Sequence, residues 1–316
     1  MHRFWQVAAW TAVLGVVGCD GAGTGVEGTA RMTLQLTDAP TGAFASATIA
    51  IGWIRLIPSD GDPITLSEDA GEFDLLALQN GITATLASLD VPAGRYHQLR
   101  LEVRSASVTL ADGRTFADGS GTHELVVPSG ARSGLKVNLF DGDWTMGMPD
   151  RGLGDEAAAR GRMRNGRNGM GSDHLVRRTG VELVPGETIL VLDFDVSRNF
   201  VLTGPRDAPT GALFKPLIRA VVRDVAGTIG GRVTDVASGA PQAGRTVRAV
   251  LVDSPVLEPL QTAEATTVTA DDGTYTLWFL SPGTYTVSVD GAAAPAQTVV
   301  VDEGEIVTGV DFAIAP

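Results

Sequence analysis

Cysteine occurs once in the 316 residues, at Cys19, so no disulfide can close within the chain. Histidine is nearly as scarce, with four in all. A zinc peptidase needs imidazoles or carboxylates converging on the metal, often as His-Glu-x-x-His on one helix. Here His123 precedes Glu124 but no second histidine follows, and His97 and His174 stand alone. The Gly-x-Ser-x-Gly elbow of a hydrolase is missing, and Ser120, Ser129 and Ser133 lie in glycine-rich stretches where serine serves turns. No glycine loop followed by lysine is present to cradle phosphate. Basic charge is the minority: 24 Lys and Arg face 37 Asp and Glu, a formal charge of −13. Such a surface repels polyanions, which excludes nucleic acid as a partner. After the first residues no apolar run approaches the roughly 20 residues that span a bilayer.

The one cysteine closes the chain's only long apolar stretch. His2 and Arg3 give a basic start, residues 4–17 are apolar, and Val16-Val17-Gly18-Cys19 follows. That layout predicts a secretory signal peptide over residues 1–18. The four residues resemble the bacterial lipobox, in which signal peptidase cuts before a lipid-modified cysteine. The resemblance implies lipid attachment at Cys19 and a membrane partner reached through acyl chains, each buried methylene contributing about 0.8 kcal/mol. Residues 19–29, small, polar and rich in glycine, read as a flexible tether.

From Ala30 the pattern changes to alternation. Met32-Thr33-Leu34-Gln35-Leu36-Thr37 and Ala47-Thr48-Ile49-Ala50-Ile51 alternate apolar with polar, as half-buried strands do. Further strands are expected at residues 96–103, 107–110, 124–127, 134–140 and 188–196, punctuated by Asp60-Gly61, Pro92-Ala93-Gly94 and Asp112-Gly113. One short helix is expected at residues 73–78, stopped by Asn80-Gly81. Leu36-Thr37-Asp38-Ala39-Pro40, Phe73-Asp74-Leu75-Leu76-Ala77-Leu78-Gln79-Asn80-Gly81, Val91-Pro92-Ala93-Gly94-Arg95-Tyr96, Val127-Pro128-Ser129-Gly130, Leu192-Asp193-Phe194-Asp195 and Lys215-Pro216-Leu217-Ile218-Arg219 follow in order. That series resembles an uncharacterised domain-of-unknown-function family of exported bacterial lipoproteins. The resemblance covers residues 30–224 and implies a mostly β envelope domain with no assigned activity.

Residues 141–180 depart from that pattern. Between Arg151 and Arg178 seven arginines face three acids, and no periodicity survives. Two readings compete there: a basic arm for an anionic glycan, or a disordered insertion that cannot bury enough apolar area to offset its chain entropy. The second is preferred.

Residues 227–316 read as about seven short strands, the pattern of a small sandwich. Gly231-Arg232-Val233-Thr234-Asp235, Asp272-Gly273-Thr274-Tyr275-Thr276-Leu277, Leu280-Ser281-Pro282-Gly283-Thr284-Tyr285 and Thr308-Gly309-Val310-Asp311-Phe312 carry a resemblance to the carboxypeptidase regulatory-like domain. That family is a transthyretin-like sandwich also grouped with carbohydrate-binding-like folds. Tyr275, Leu277 and Phe279 are expected on one core face, with Tyr285 and Val287 opposite. The whole is therefore expected to be all-β: an N-terminal sandwich-like domain followed by a seven-stranded Ig/transthyretin-like sandwich.

Two candidate sites stand out. Asp193 and Asp195, two apart on an expected strand, should share one face while Leu192, Phe194 and Val196 point to the core. With Asp38 or the Asp141-Gly142-Asp143 turn they could hold calcium, or in a hydrolase act on a bond. The plainer reading pairs them with Lys215, Arg219 or Arg198, or leaves them in water. Trp278, opposite the expected core face, offers an indole platform for a sugar ring or a partner protein of the envelope. The competing reading, which is preferred, packs it against the first domain or a loop. Trp53 and Trp144 invite the same question.

Overall fold

A computed structural model describes residues 28–127, 134–139, 180–205, 207–252 and 264–315. Cys19, the leader, most of the tether, Trp144 and the Asp141-Gly142-Asp143 turn lie outside the described residues, as does nearly all of the arginine-rich segment. Among the described residues no helix is long and apolar enough to cross a membrane. They form an all-β structure with two hydrophobic cores, one drawn from Ala30 to Phe214 and the other from Ile229 to Ile314.

The first core lies between two sheets. One is four-stranded, in the order Arg219–Val222, Gly186–Asp193, Thr29–Thr37, Ala84–Pro92. Thr29–Thr37 runs parallel to Gly186–Asp193 and antiparallel to Ala84–Pro92. The other sheet is built on two long antiparallel strands, Phe44–Pro58 and Gly94–Leu110. Ile64–Ser67 and Gly71–Asp74 extend it beside the first, and Thr122–Leu125, Leu135–Asn138 and Val181–Leu183 beside the second. Alternation sends Ile49, Ile51, Leu99, Leu101 and Val103 inward, where they are at most 2% exposed.

The second core lies between the sheet of Thr274–Leu280 and Gly227–Asp235 and the sheet ordered Glu264–Val268, Thr246–Leu251, Gly283–Val289, Gln297–Val301. Two short pieces, Ile306–Val307 and Phe312–Ile314, both run parallel to Gly227–Asp235, pairing at Thr228 and at Val233. They make one interrupted edge, so the seven expected strand positions are filled.

The two sandwiches are wired alike. Each opening strand, Thr29–Thr37 or Gly227–Asp235, lies between an antiparallel and a parallel neighbour. Each antiparallel neighbour then crosses to the facing sheet through a glycine corner, Gly94 at φ 147° and Gly283 at φ 153°. Two residues on, Tyr96 and Tyr285 return their hydroxyls to the carbonyls of Pro92 and Ser281, both at 2.7 Å. The sequence repeats too: Thr37-Asp38-Ala39-Pro40-Thr41-Gly42-Ala43 is matched by Thr234-Asp235-Val236-Ala237-Ser238-Gly239-Ala240 at the same topological point.

Several expectations need correcting. The separate strands at 96–103 and 107–110 are one strand, Gly94–Leu110. The expected helix begins as strand Gly71–Asp74 and continues as a single 3-10 turn, Leu75–Leu78. Asp74 explains the switch, since its side chain accepts from the Leu76 amide at 3.1 Å and caps the turn. Gly180, placed by sequence in the insertion, is part of the fold: its amide donates to the Leu139 carbonyl at 2.8 Å. The chain therefore leaves and re-enters the described fold at adjacent points, Leu139 and Gly180.

Candidate functional site

The candidate carboxylates meet where the two sandwiches touch. Gly186–Asp193 ends at Asp193, and the following turn, not the strand, carries Asp195 ahead of the short helix Val196–Asn199. The expectation of one shared strand face is thus corrected, although Leu192, Phe194 and Val196 do enter the core. Asn199, fully buried, shapes the turn: its amide nitrogen lies against the carbonyls of Phe194, Asp195 and Leu217, and its oxygen accepts from the Leu217 amide. The parallel neighbour delivers Asp38 to the same place. The Phe194 amide donates to the Thr37 carbonyl at 3.1 Å, and the Val196 amide donates to Asp38 Oδ1 at 2.7 Å.

None of the three carboxylates faces water; Asp38, Asp193 and Asp195 are 4%, 8% and 6% exposed. Asp193 pairs with Arg219, its cross-strand partner, at 2.7 Å between Oδ2 and Nη2. Asp195 accepts from the Ser197 hydroxyl at 2.6 Å and from the Thr266 hydroxyl at 3.0 Å. Thr266 belongs to the second sandwich, so this bond crosses the junction. Arg219 also crosses it, with Nη2 donating to the Trp278 carbonyl at 3.4 Å. Burial pushes the Asp38 carboxyl well above the ordinary carboxylate range, with the charges of Asp193 and Asp195 adding to the effect. Asp195 is pushed up for the same first reason, and Asp193 adds to it. Burial is the largest single influence on Arg219 and works against its charge, but the Asp193 carboxylate together with Tyr285 and Asp195 holds the guanidinium above its usual value.

Trp278 and Phe279 complete the junction. Ile229 pairs with Leu277 and Gly227 with Leu280, so Trp278 and Phe279 together oppose a single residue, Thr228, in a β-bulge. Phe279 adopts a left-handed backbone, φ 54°, a conformation that costs a non-glycine residue roughly 1–2 kcal/mol. The bulge corrects the expected core face: Tyr275, Leu277 and Leu280 are buried, and Phe279 is turned toward the first sandwich. The Trp278 indole lies against Gly81 so closely that a Cβ there would sit 3.0 Å from the ring. Its other surroundings are open enough to leave it 40% exposed. Asp38, Pro40, Gly81, Thr266, Trp278 and Phe279 line a cleft of about 20 Å³, room for one water and far below the space a small-molecule ligand fills. Trp53 lies elsewhere, on the seven-stranded sheet, with the Arg55 guanidinium 4.6 Å over its ring.

As a cation site the carboxylates are poorly arranged. Their oxygens are held by Arg219, Ser197, Thr266 and the Val196 amide, and among the described residues no group of three His, Cys, Asp or Glu is placed to hold a metal. The sequence reading had Asp38 and Arg219 as neighbours of this site and Trp278 as a separate candidate, which the structure brings to the same junction. It missed Asn199, Thr266 and the bulge at Phe279, which no local motif marks.

Residues 29–150 match the model of a domain of unknown function (DUF4382), and residues 228–315 match that of the carboxypeptidase regulatory-like domain. Each match falls on one of the two resemblances read from the sequence. The first ends before Gly186–Asp193 and Arg219–Val222, which nevertheless belong to the same four-stranded sheet. No curated protein matches the chain. Similar solved structures include BcpA, the major pilin subunit of Bacillus cereus, at 9% identity and TM-score 0.24, covering 91% of this chain and 99% of that one. Another is the shaft pilin SpaA of Lactobacillus rhamnosus GG, at 10% identity and TM-score 0.23, covering 92% and 98%. The Bacillus anthracis TIE protein aligns at 10% identity and TM-score 0.20, and this chain spans only 34% of its length. Superposition is poor in all three.

Proposed function

We propose that the chain is a lipid-anchored, non-catalytic protein of the cell envelope, whose two sandwiches present binding surfaces to a partner protein or glycan. The observation that supports this most is the condition of its best carboxylate constellation. Asp38, Asp193 and Asp195 are buried and bonded to protein groups that join one sandwich to the other. A general acid or base must reach substrate, and a metal ligand must turn lone pairs to the ion. These carboxylates do neither, so the hydrolase reading loses the residues it stood on. The remaining parts are a leader cut before Cys19, a glycine-rich tether and two β bodies, which suit display. Substituting Cys19→Ala tests the anchor: the variant is expected in the soluble fraction after a high-salt wash, and retention with membranes would refute it.

A glycan-binding reading is favoured by one feature, the 40% exposure of the Trp278 indole. One ring face is already covered by Gly81, so a sugar would stack only on the other. A glycan array with the full chain and its Trp278→Ala variant decides between the two readings. Binding that disappears in the variant supports the platform, and binding that survives moves the site elsewhere.

A further inference from the structure

Three carboxylates share the junction with a single paired guanidinium. Counted as ions, Asp38, Asp193, Asp195 and Arg219 leave two negative charges in excess, in a largely buried site whose cleft has room for one water. Charge of that kind is expensive to bury. The other groups that face the cluster give little relief. The Arg198 charge favours the ionised form of Asp195, the Tyr285 phenol lies near Arg219, and Gln79, Ser197 and Thr266 are neutral donors, yet burial outweighs them at Asp38 and Asp195. Asp38 has one oxygen bonded to the Val196 amide, while the other meets only the Gln79 amide at 3.4 Å. That second oxygen is loosely held and has room for a proton.

The second sandwich is what closes the site. Its Thr266 hydroxyl donates to Asp195, its Trp278 carbonyl accepts from Arg219, and its indole covers Gly81. Any change of charge in the cluster therefore acts on the contacts that hold the sandwiches together. We propose that the Asp38–Asp193–Asp195–Arg219 cluster is a proton-operated clasp: with a proton held among its carboxylates the sandwiches stay docked, and release of that proton loosens the junction and uncovers the Trp278 face. This is independent of whether Trp278 meets glycan or protein.

The direction follows from linkage. Burial raises Asp38 and Asp195 above the ordinary carboxylate value of about 4, to which opening into water would return them. The docked state therefore binds the proton more tightly than the opened state. Docking is strongest in acid, weakens as pH rises above that ordinary value, and levels off once the docked carboxyls have ionised. Because the groups interact, the proton belongs to the cluster rather than to one residue.

Hydrogen exchange of the full chain, read by mass spectrometry and corrected for the intrinsic pH dependence of exchange, tests this. Peptides covering residues 264–268 and 274–280 report the junction, and residues 94–110 report the first core. Between about pH 5 and about pH 8 the junction peptides should lose roughly tenfold protection, while the core peptide holds. In Asp195→Asn, whose hydroxyl partners can turn to suit an amide, and in Asp38→Asn, protection should stay at the acid level throughout. Thr266→Val should lower junction protection at both pH values while keeping the wild-type pH dependence. A wild-type junction indifferent to pH, or Asn variants that follow the wild type or lose protection at both pH values, would overturn the clasp.

Discussion

Asp193 and Arg219 stand opposite each other on neighbouring antiparallel strands, and their side chains close that register at 2.7 Å. The pair is mostly buried, at 10% and 17% side-chain exposure, so removing one partner leaves an ion without compensation. Arg219→Met should destabilise the fold by about 3–5 kcal/mol, the usual cost of breaking a buried pair from one side. Adding Asp193→Asn should recover most of that loss, because the stranded charge goes with it. Urea unfolding of the two variants checks both statements, and a double variant as unstable as the single one would show that packing, not charge, is at stake.

Much of this arrangement was legible beforehand, and the part that was not has a physical cause. Alternation exposed the strands around Ile49 and Leu101 because each has one buried face, and a period of two survives in any such strand. Asp193, Asp195 and Trp278 were singled out because charge and indole are unusual beside apolar neighbours. Their surroundings could not be read, since these include Thr266 and Gly81, which lie far off in the chain and meet them only in the tertiary structure. Asn199 carries no local signal, because its partners include Leu217. Phe279 misled, since strict alternation assigns it to the core until the bulge adds a residue. One signal was present and unread: the Thr-Asp turn and the Gly-x-Tyr corner each occur twice, and together they mark two sandwiches of the same wiring.

The paired corners give a comparison within one molecule. Tyr96 and Tyr285 are 3% and 1% exposed, and each hydroxyl reaches back four residues to a carbonyl at 2.7 Å. Tyr96→Phe and Tyr285→Phe each remove one such bond while keeping the ring, so each should cost about 1 kcal/mol. The two tyrosines belong to different cores, so the double variant should show the sum of the single effects. Thermal unfolding followed by circular dichroism and calorimetry measures all three, and a marked departure from additivity would show that the two corners are energetically coupled.

Phe279 offers the sharpest test of the bulge. Its backbone sits at φ 54°, where any residue with a Cβ is strained and glycine is not. Its side chain meanwhile lines the cleft between the sandwiches, so truncation also loses apolar contact. Comparing Phe279→Ala with Phe279→Gly separates the two effects, because both lose the ring but only glycine relieves the backbone. Phe279→Gly should therefore be the more stable variant by about 1 kcal/mol, against the usual order in strands, where glycine is the worse residue. Chemical denaturation of both proteins reads this difference directly. Alanine proving the better of the two would mean that the chain does not hold a left-handed residue there, and that Trp278 reaches Gly81 by some other path.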